Sequence, residues 1–287
     1  MLKAGFIGLG SMGAAMARNV AKAGLLGAVW NRTESKARDL ARELDVTHAV
    51  SPVDLTARVD VVLICVSADA DVLEVIRQLL PALKSGKVVV DLSTVSRETA
   101  WEAARSVQGR GADFLDAPVT GGMEGARNGA LAIMVGGHPD TLEQVRPILS
   151  AMGQQIVHMG ETGMGQSAKA VNQILCAGIN EAVTEALAFG ERLGLDLAKL
   201  IQVMAGGAAG NWFLEKRGST MTRGVFVPGF KLALHQKDLA ICLAMARELG
   251  VSLPLTEMTR RHYRKLMEAG HGEEDISALY RLKRPSE

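Results

Sequence analysis

KAGFIGLGSMG, residues 3–13, decides the fold of the first half of this chain. Its opening residues, 3–8, form a short apolar run of strand type, and the rest is G-x-G-x-x-G on Gly8, Gly10 and Gly13, opening the helical pattern SMGAAMARNV. Each glycine answers a physical demand: a tight turn, close approach of backbone to a pyrophosphate, and close packing of helix on strand. Leu9, Ser11 and Met12 lie between them, at a helix start whose N–H groups and dipole favour an anion. Alone, the pattern also serves tight packing; here it sits inside a strand–helix–strand unit, and a dinucleotide is expected against it.

The end of the second strand bears on which dinucleotide. A site for NAD usually places Asp or Glu there, to accept from the adenosine ribose. This chain has Asn31, Arg32 and Thr33, with Lys36 following. A neutral residue and two cations suit a 2′-phosphate, which Arg meets with a planar fork. NADP is therefore the expected cofactor and NAD the lesser alternative. The plain reading of Arg32 and Lys36 is two solvated charges opening a surface helix.

Working outward, apolar runs at 28–31, 60–67, 87–91, 114–118, 131–135 and 155–158 read as further strands. Amphipathic stretches at 34–44 and 71–83 lie between the early ones. Near-continuous apolar strands such as VDVVLICV fit a largely parallel sheet in βαβ units; the direction of the late strands stays open. After Gly163 the strand signals stop. Residues 165–193 form one long Ala- and Leu-rich helical pattern with Gly194 as its C-cap, and more helix is expected at 196–205, 230–249 and 254–268. The fold class is α/β: a Rossmann-type NADP-binding domain at 1–162, joined by a long helix to an all-helical substrate and oligomerisation domain at 163–287.

Composition excludes several classes. Hydrophobic residues make up 48%, enough for a sizeable core, and 32 basic against 31 acidic residues leave a net charge of +1 with no basic stripe for nucleic acid. Arg281, Lys283 and Arg284 read as a solvated tail. Cys65, Cys176 and Cys242, odd in number and each in an apolar stretch, read as buried thiols. The six histidines show no ligand spacing, so no metal is expected. No signal peptide and no run near the ~18 apolar residues of a membrane span is seen, which points to a cytoplasmic protein without a membrane partner.

Two further stretches carry chemistry: DAPVTGG at 116–122 and GMGQSAKAVNQ at 163–173. Lys169 and Asn172, three apart, share one face of the long helix, with Gln173 close to it and Gly165 one turn earlier leaving room for a ligand. A lysine packed among Ala168, Ala170 and Val171 has its charged form disfavoured, which suits proton transfer to and from a carbonyl oxygen. Taken alone, a helical lysine is usually a surface residue.

Together with GFIGLGSMG, these stretches resemble the β-hydroxyacid dehydrogenase family, which includes 3-hydroxyisobutyrate dehydrogenases and tartronate semialdehyde reductases. The resemblance runs over nearly the whole chain, its motifs in the family's order. It implies hydride transfer between NADP(H) and a small 3-hydroxy acid or semialdehyde, with Lys169 as general acid and base and Asn172 orienting the substrate oxygen. It implies that Thr120, Gly121 and Gly122 hold the substrate carboxylate; many members carry Ser at the position of Thr120. Val66 and Ser67, after VVLICVS, and Thr94, after VVVDLS, are implied as cofactor contacts. So are Phe230 and Lys237, seven apart and read as sharing a helical face; Asp238 is read as holding Lys237. Trp212, in NWFLEKR, is assigned to the pocket border or the core. Family members commonly form homodimers or homotetramers.

Two rivals are weighed against this. An imine reductase shares the architecture but generally replaces the lysine matching Lys169; a non-catalytic NADP(H)-binding protein has no need of Thr120, Lys169 and Asn172 together. A 6-phosphogluconate dehydrogenase is related, but the chain lacks the extra length of its helical domain.

Overall fold

The computed structural model of the protein describes residues 2–284. The chain divides into two compact units, Met1–Lys169 and Ala170–Glu287. The first contains β1 (Ala4–Ile7), α1 (Ser11–Lys22), β2 (Leu26–Trp30), α2 (Glu34–Leu44), β3 (Thr47–His48), α3 (Pro52–Arg58), β4 (Val61–Ile64), α4 (Asp69–Leu79), β5 (Val88–Asp91), α5 (Arg97–Gln108), β6 (Asp113–Asp116), β7 (Val119–Thr120), α6 (Gly122–Asn128), β8 (Leu131–Gly137), α7 (Pro139–Ser150) and β9 (Gly153–Gly160). Helix α8 (Met164–Arg192) begins in the first unit and continues into the second, which adds α9 (Leu197–Ala205), α10 (Trp212–Thr222), α11 (Leu232–Glu248), α12 (Pro254–Glu268) and α13 (Tyr280–Lys283).

The strands form one sheet in the order β3-β2-β1-β4-β5-β6-β8-β7, with β9 paired to β8. Pairing is parallel from β3 to β6, antiparallel between β6 and β8 and between β7 and β8, and parallel again between β8 and β9. The direction left open for the late strands is thus mixed. Alternate residues feed two cores. Phe6, Leu63, Val90 and Leu115 pack with Met16 and Val20 on one face, while Ile7, Ile64, Val89 and Phe114 pack with Ile76 and Leu79 on the other. Burial on both faces is why these strands are apolar throughout rather than alternating. Register aligns Ile7 with Ile64, Ile64 with Asp91 and Asp91 with Asp116. The loops after β1, β4, β5 and β6 therefore leave from one edge, the carboxyl edge where ligands bind in open α/β sheets.

The second unit packs Leu187, Phe213, Leu239, Tyr263 and Tyr280 into its core. Buried Asn180 donates to the Tyr263 hydroxyl at 2.9 Å and to the Ile276 carbonyl at 2.8 Å. Gly194, at φ +73°, ends α8, and Leu195 N–H reaches back to the Gly190 carbonyl at 3.1 Å.

Four readings are corrected. The basic residues near the end are not a solvated tail: Lys283 pairs with buried Glu181 at 3.0 Å, Arg281 makes a two-pronged pair with Glu274, and Arg284 pairs with Glu191. Only Cys242 is buried; Cys65 and Cys176 are half-buried, and no disulfide joins the three. Phe230 does not share a helical face with Lys237. The N–H groups of Gly229 and Phe230 donate to Asp275 Oδ2 at 2.8 and 3.0 Å, which holds them outside α11. Gly165 leaves no space for a ligand, because a Cβ there would lie 2.5 Å from the Met134 carbonyl oxygen and 2.6 Å from that of Asp116. Among the described residues no helix is long and apolar enough to cross a membrane, and no group of three His, Cys, Asp or Glu side chains is arranged to hold a metal.

Candidate functional site

The glycine turn is built as its spacing demands. Gly8 has φ +92°, and a Cβ there would lie 2.1 Å from the Cys65 carbonyl oxygen; one on Gly13 would lie 1.9 Å from the Gly8 carbonyl oxygen. Gly10 differs: nothing lies within 4 Å of its missing Cβ. It caps α1 without any side-chain hydrogen bond, so the first-turn N–H groups of Ser11, Met12 and Gly13 face an open approach. This is the cradle a pyrophosphate fits. Asn31 ties the turn to β2, its Oδ1 accepting from Leu9 N–H at 2.9 Å and its Nδ2 donating to the Thr33 carbonyl at 3.1 Å.

A cavity of about 370 Å³ opens beside the turn, lined by Leu9, Gly10, Ser11, Ala14, Ala15 and, as its cationic rim, Arg18, Lys36 and Arg127. Lys36 is thus brought to the turn. Arg32 is not: its side chain is 85% exposed and pairs with Asp71 on α4 at 3.0 Å. Arg18 and Arg127 were not legible as site residues. Arg18 lies two turns along α1 from Ser11, which is a signal; Arg127 comes from α6 and offers none.

At the ends of β4 and β5, Val66 N–H donates to Ser93 Oγ at 3.0 Å. Ser67 is exposed and Thr94 half-buried. Gln166, on the first turn of α8, holds the Thr94 loop from both sides. Its Oε1 accepts from Val95 N–H at 3.1 Å and its Nε2 donates to the Ser93 carbonyl at 2.8 Å. Asp116, at the end of β6 and fully buried, accepts from Gly163 N–H at 2.7 Å and Gln166 N–H at 2.9 Å. Burial pushes its carboxyl up to about 6, while these amides act to hold it down. The same helix turn then carries Lys169, 7% exposed, whose Nζ donates to the Val119 carbonyl at 2.9 Å. The ammonium is therefore anchored one residue before Thr120. Its burial does not come from Val171, which is 60% exposed; β7 supplies the covering chain. Gly121 (φ +126°) and Gly122 (φ +61°) follow, with Gly121 capping α6 without a side chain. A hydroxyl and free helix-start N–H groups beside a buried ammonium can hold a small carboxylate and move a proton.

In the second unit, Asn172 Nδ2 donates to Gln173 Oε1 at 2.7 Å. Gln173 Nε2 donates to Asp238 Oδ2 at 2.6 Å, and Lys237 pairs with Asp238 Oδ1 at 3.0 Å. His235, fully buried, contacts the Tyr263 hydroxyl at 3.0 Å and the Gln173 carbonyl at 3.2 Å, and its ring lies 5.3 Å from that of Phe230. Trp212, the first residue of α10, is half exposed, with the Arg217 guanidinium 5.2 Å from its ring.

Comparison with known proteins finds similar chains over nearly the whole length of this one. A family model described as the NAD binding domain of 6-phosphogluconate dehydrogenase matches residues 3–160, and one described as the NAD-binding domain of NADP-dependent 3-hydroxyisobutyrate dehydrogenase matches residues 163–283. The chain is 39% identical to 2-hydroxy-3-oxopropionate reductase of Escherichia coli K12, over 97% of this chain and 96% of that one. It is 34% identical to an NAD-dependent L-serine dehydrogenase of Pseudomonas aeruginosa, over 100% and 99% of the two. A solved structure of Mycobacterium tuberculosis 3-hydroxyisobutyrate dehydrogenase with L-serine matches with a TM-score of 0.89 at 32% identity, covering 99% of this chain and 100% of that one.

Proposed function

The chain belongs to the β-hydroxyacid dehydrogenase family of NAD(P)-dependent oxidoreductases acting on small hydroxy acids, and on that premise we propose that it interconverts a small 3-hydroxy acid and its semialdehyde, with NADP(H) as cofactor and Lys169 as the proton-transfer residue. The observation that carries the proposal is the Lys169 ammonium, buried and bonded to the Val119 carbonyl directly before Thr120-Gly121-Gly122. The cofactor supplies the hydride. The protein's own part is to hold the acid and manage the proton. Thr120 Oγ1 and the N–H groups of Gly121 and Gly122 receive the substrate carboxylate. Lys169 gives a proton from Nζ to the substrate oxygen in reduction and takes it back from the hydroxyl in oxidation. Asn172 orients that oxygen.

Residues 8–13 fit the pyrophosphate, with Val66, Ser67 and Thr94 at the neighbouring loops and Lys237 toward the nicotinamide end. NADP(H) preference is supported by Asn31, which brings no negative charge, by Lys36, Arg18 and Arg127 around the cavity beside the turn, and by Arg32, exposed and paired with Asp71. The relatives named for L-serine and 2-hydroxy-3-oxopropionate share a short carbon chain bearing a carboxylate near an oxygen function, the class that Thr120-Gly121-Gly122 suits. Val171, Leu175 and Ile179, four apart on α8, are exposed, and such an apolar stripe suits a homodimer or homotetramer.

The test is a panel of 3-hydroxyisobutyrate, 3-hydroxypropionate, glycerate and serine, each with NADP⁺ and with NAD⁺, following absorbance of the reduced cofactor. Turnover of at least one acid is expected, with its methyl ester much poorer. Equal rates on an acid and its ester would remove the carboxylate anchor, and no turnover of any acid would sink the substrate class.

A further inference from the structure

Asn172 is held in one polarity by a carboxylate that it does not touch. Asp238, 3% exposed, is ion-paired to Lys237 and receives Gln173 Nε2 at 2.6 Å. A carboxylate in an ion pair only accepts hydrogen bonds, so the nitrogen end of the Gln173 amide must face it. The oxygen and nitrogen of an amide are told apart by their partners, and this partner leaves no choice. Gln173 is 1% exposed, so water offers its amide no alternative partner. Its Oε1 then meets Asn172 Nδ2 at 2.7 Å, and the same nitrogen lies 3.6 Å from Cys176 Sγ. The nitrogen of Asn172 is thus committed to Gln173, which leaves Oδ1 as the atom for a further partner.

We infer that Asp238 is a positioning residue that sets, through Gln173, the polarity of Asn172, so that Asn172 offers an acceptor oxygen to the hydroxyl proton of a hydroxy acid whose oxygen accepts from the protonated Lys169, the state before that proton is transferred. The group Asn172 meets rests on the function proposed above; the polarity itself rests only on residues 172, 173, 237 and 238. A ligand whose oxygen carries a proton gains a hydrogen bond there, and one whose oxygen only accepts gains none. Free rotation of the Gln173 amide would erase that distinction, because Asn172 would then present nitrogen as readily as oxygen.

Asp238→Asn and Gln173→Met test this, the second leaving the Lys237–Asp238 pair intact. With NADPH bound, so that a hydroxy acid is not turned over, affinities for 3-hydroxypropionate and 3-methoxypropionate are measured by calorimetry. Both variants should weaken the hydroxy acid about tenfold, the worth of one neutral hydrogen bond, and leave the methyl ether within twofold. Without ligand, the Asn172 side-chain amide signals, assigned by their loss in Asn172→Asp, should shift in both variants. Equal weakening of both acids, or none, would overturn the inference. If neither acid binds the unaltered protein, the substrate reading fails by itself. The amide signals still decide the polarity in that case, since unchanged signals in Asp238→Asn contradict the chain from Asp238 to Asn172.

Discussion

Arg32 and Lys169 show how far a single side chain's role depends on what it is already bonded to. The Arg32 guanidinium is 85% exposed and rests on Asp71. An exposed pair of this kind contributes at most about 1 kcal/mol, whereas a hydrogen bond to a charged phosphate contributes about 1.5–3 kcal/mol. A 2′-phosphate should therefore draw Arg32 from Asp71. Arg32→Ala is expected to lower kcat/KM for NADP⁺ roughly 10- to 150-fold and to leave NAD⁺ nearly unchanged. Asp71→Ala should lower KM for NADP⁺ by up to about fivefold, since the competing carboxylate is gone. Equal losses with both cofactors in Arg32→Ala would detach the residue from the phosphate. Lys169 is instead buried, with Nζ donating to the Val119 carbonyl. Lys169→Ala should keep cofactor affinity and lose about 10²–10⁴ in kcat, the usual worth of a placed acid–base group. Near-normal kcat in a folded variant would end the assignment.

Among the elements, α8 is held at a thermodynamic cost. Asp116 anchors its first turn, yet its carboxyl stands near 6 rather than 3.8 because burial outweighs the backbone donors around it. An acid raised in the folded state binds its proton more tightly there than in the unfolded chain. Its contribution to stability is therefore full below about 3.8 and is lost as pH rises through about 6. Two units correspond to about 3 kcal/mol. Asp69, held low by Ser96 and Thr99 against its burial, acts in the reverse sense, so the comparison must be made against Asp116→Asn. Urea unfolding from pH 4 to 7.5 should show the unaltered protein losing about 3 kcal/mol relative to that variant; a constant difference would contradict the raised carboxyl. The elements that the sequence discloses are those decided locally. Continuous apolar runs disclosed β1, β4 and β5, and helical periodicity gave α2 and α12 with their bounds. Helix α10 escaped, since Trp212–Thr222 carries Gly218, Ser219 and two threonines, all poor helix formers, and its start is fixed by the Asn211 cap on Leu214 N–H. Long-range bonds escaped as well. Asp275 draws Phe230 out of α11, Glu181 takes in Lys283, and Gln166 holds the Thr94 loop; the partners are 45 or more residues apart. The glycine turn was legible because its spacing is itself a steric demand, whereas Lys169 and Asn172 were named through the motif that resembles the family. The side chains that orient them were not, because nothing near them in sequence marks the partner.

For the molecule as a whole, charge is nearly balanced, 32 basic residues against 31 acidic, so no global field draws a nucleotide in. Any preference for a phosphorylated cofactor must come from local cations, and Arg18, Lys36 and Arg127 stand around one cavity beside the glycine turn. Binding that favours the folded state raises stability by mass action, by about 2.7 kcal/mol at one hundred times Kd. For a chain of this size each kcal/mol moves Tm by about 2–4 °C. NADP⁺ at that concentration should therefore raise Tm by about 5–10 °C. NAD⁺ at the same concentration, if bound about thirtyfold more weakly for want of the phosphate, gains only about 1 kcal/mol and moves Tm by about 2–4 °C. If the two compact units melt separately, the transition of the unit carrying residues 8–13 should move and the other should stay. Added salt should reduce the NADP⁺ shift more than the NAD⁺ shift, because the extra contact is between charges near the surface. Calorimetric scans with each nucleotide, at low and at physiological salt, decide the matter. Equal shifts for both nucleotides would mean that these cations do not read the 2′-phosphate, and no shift with either would mean that the glycine turn does not hold a dinucleotide.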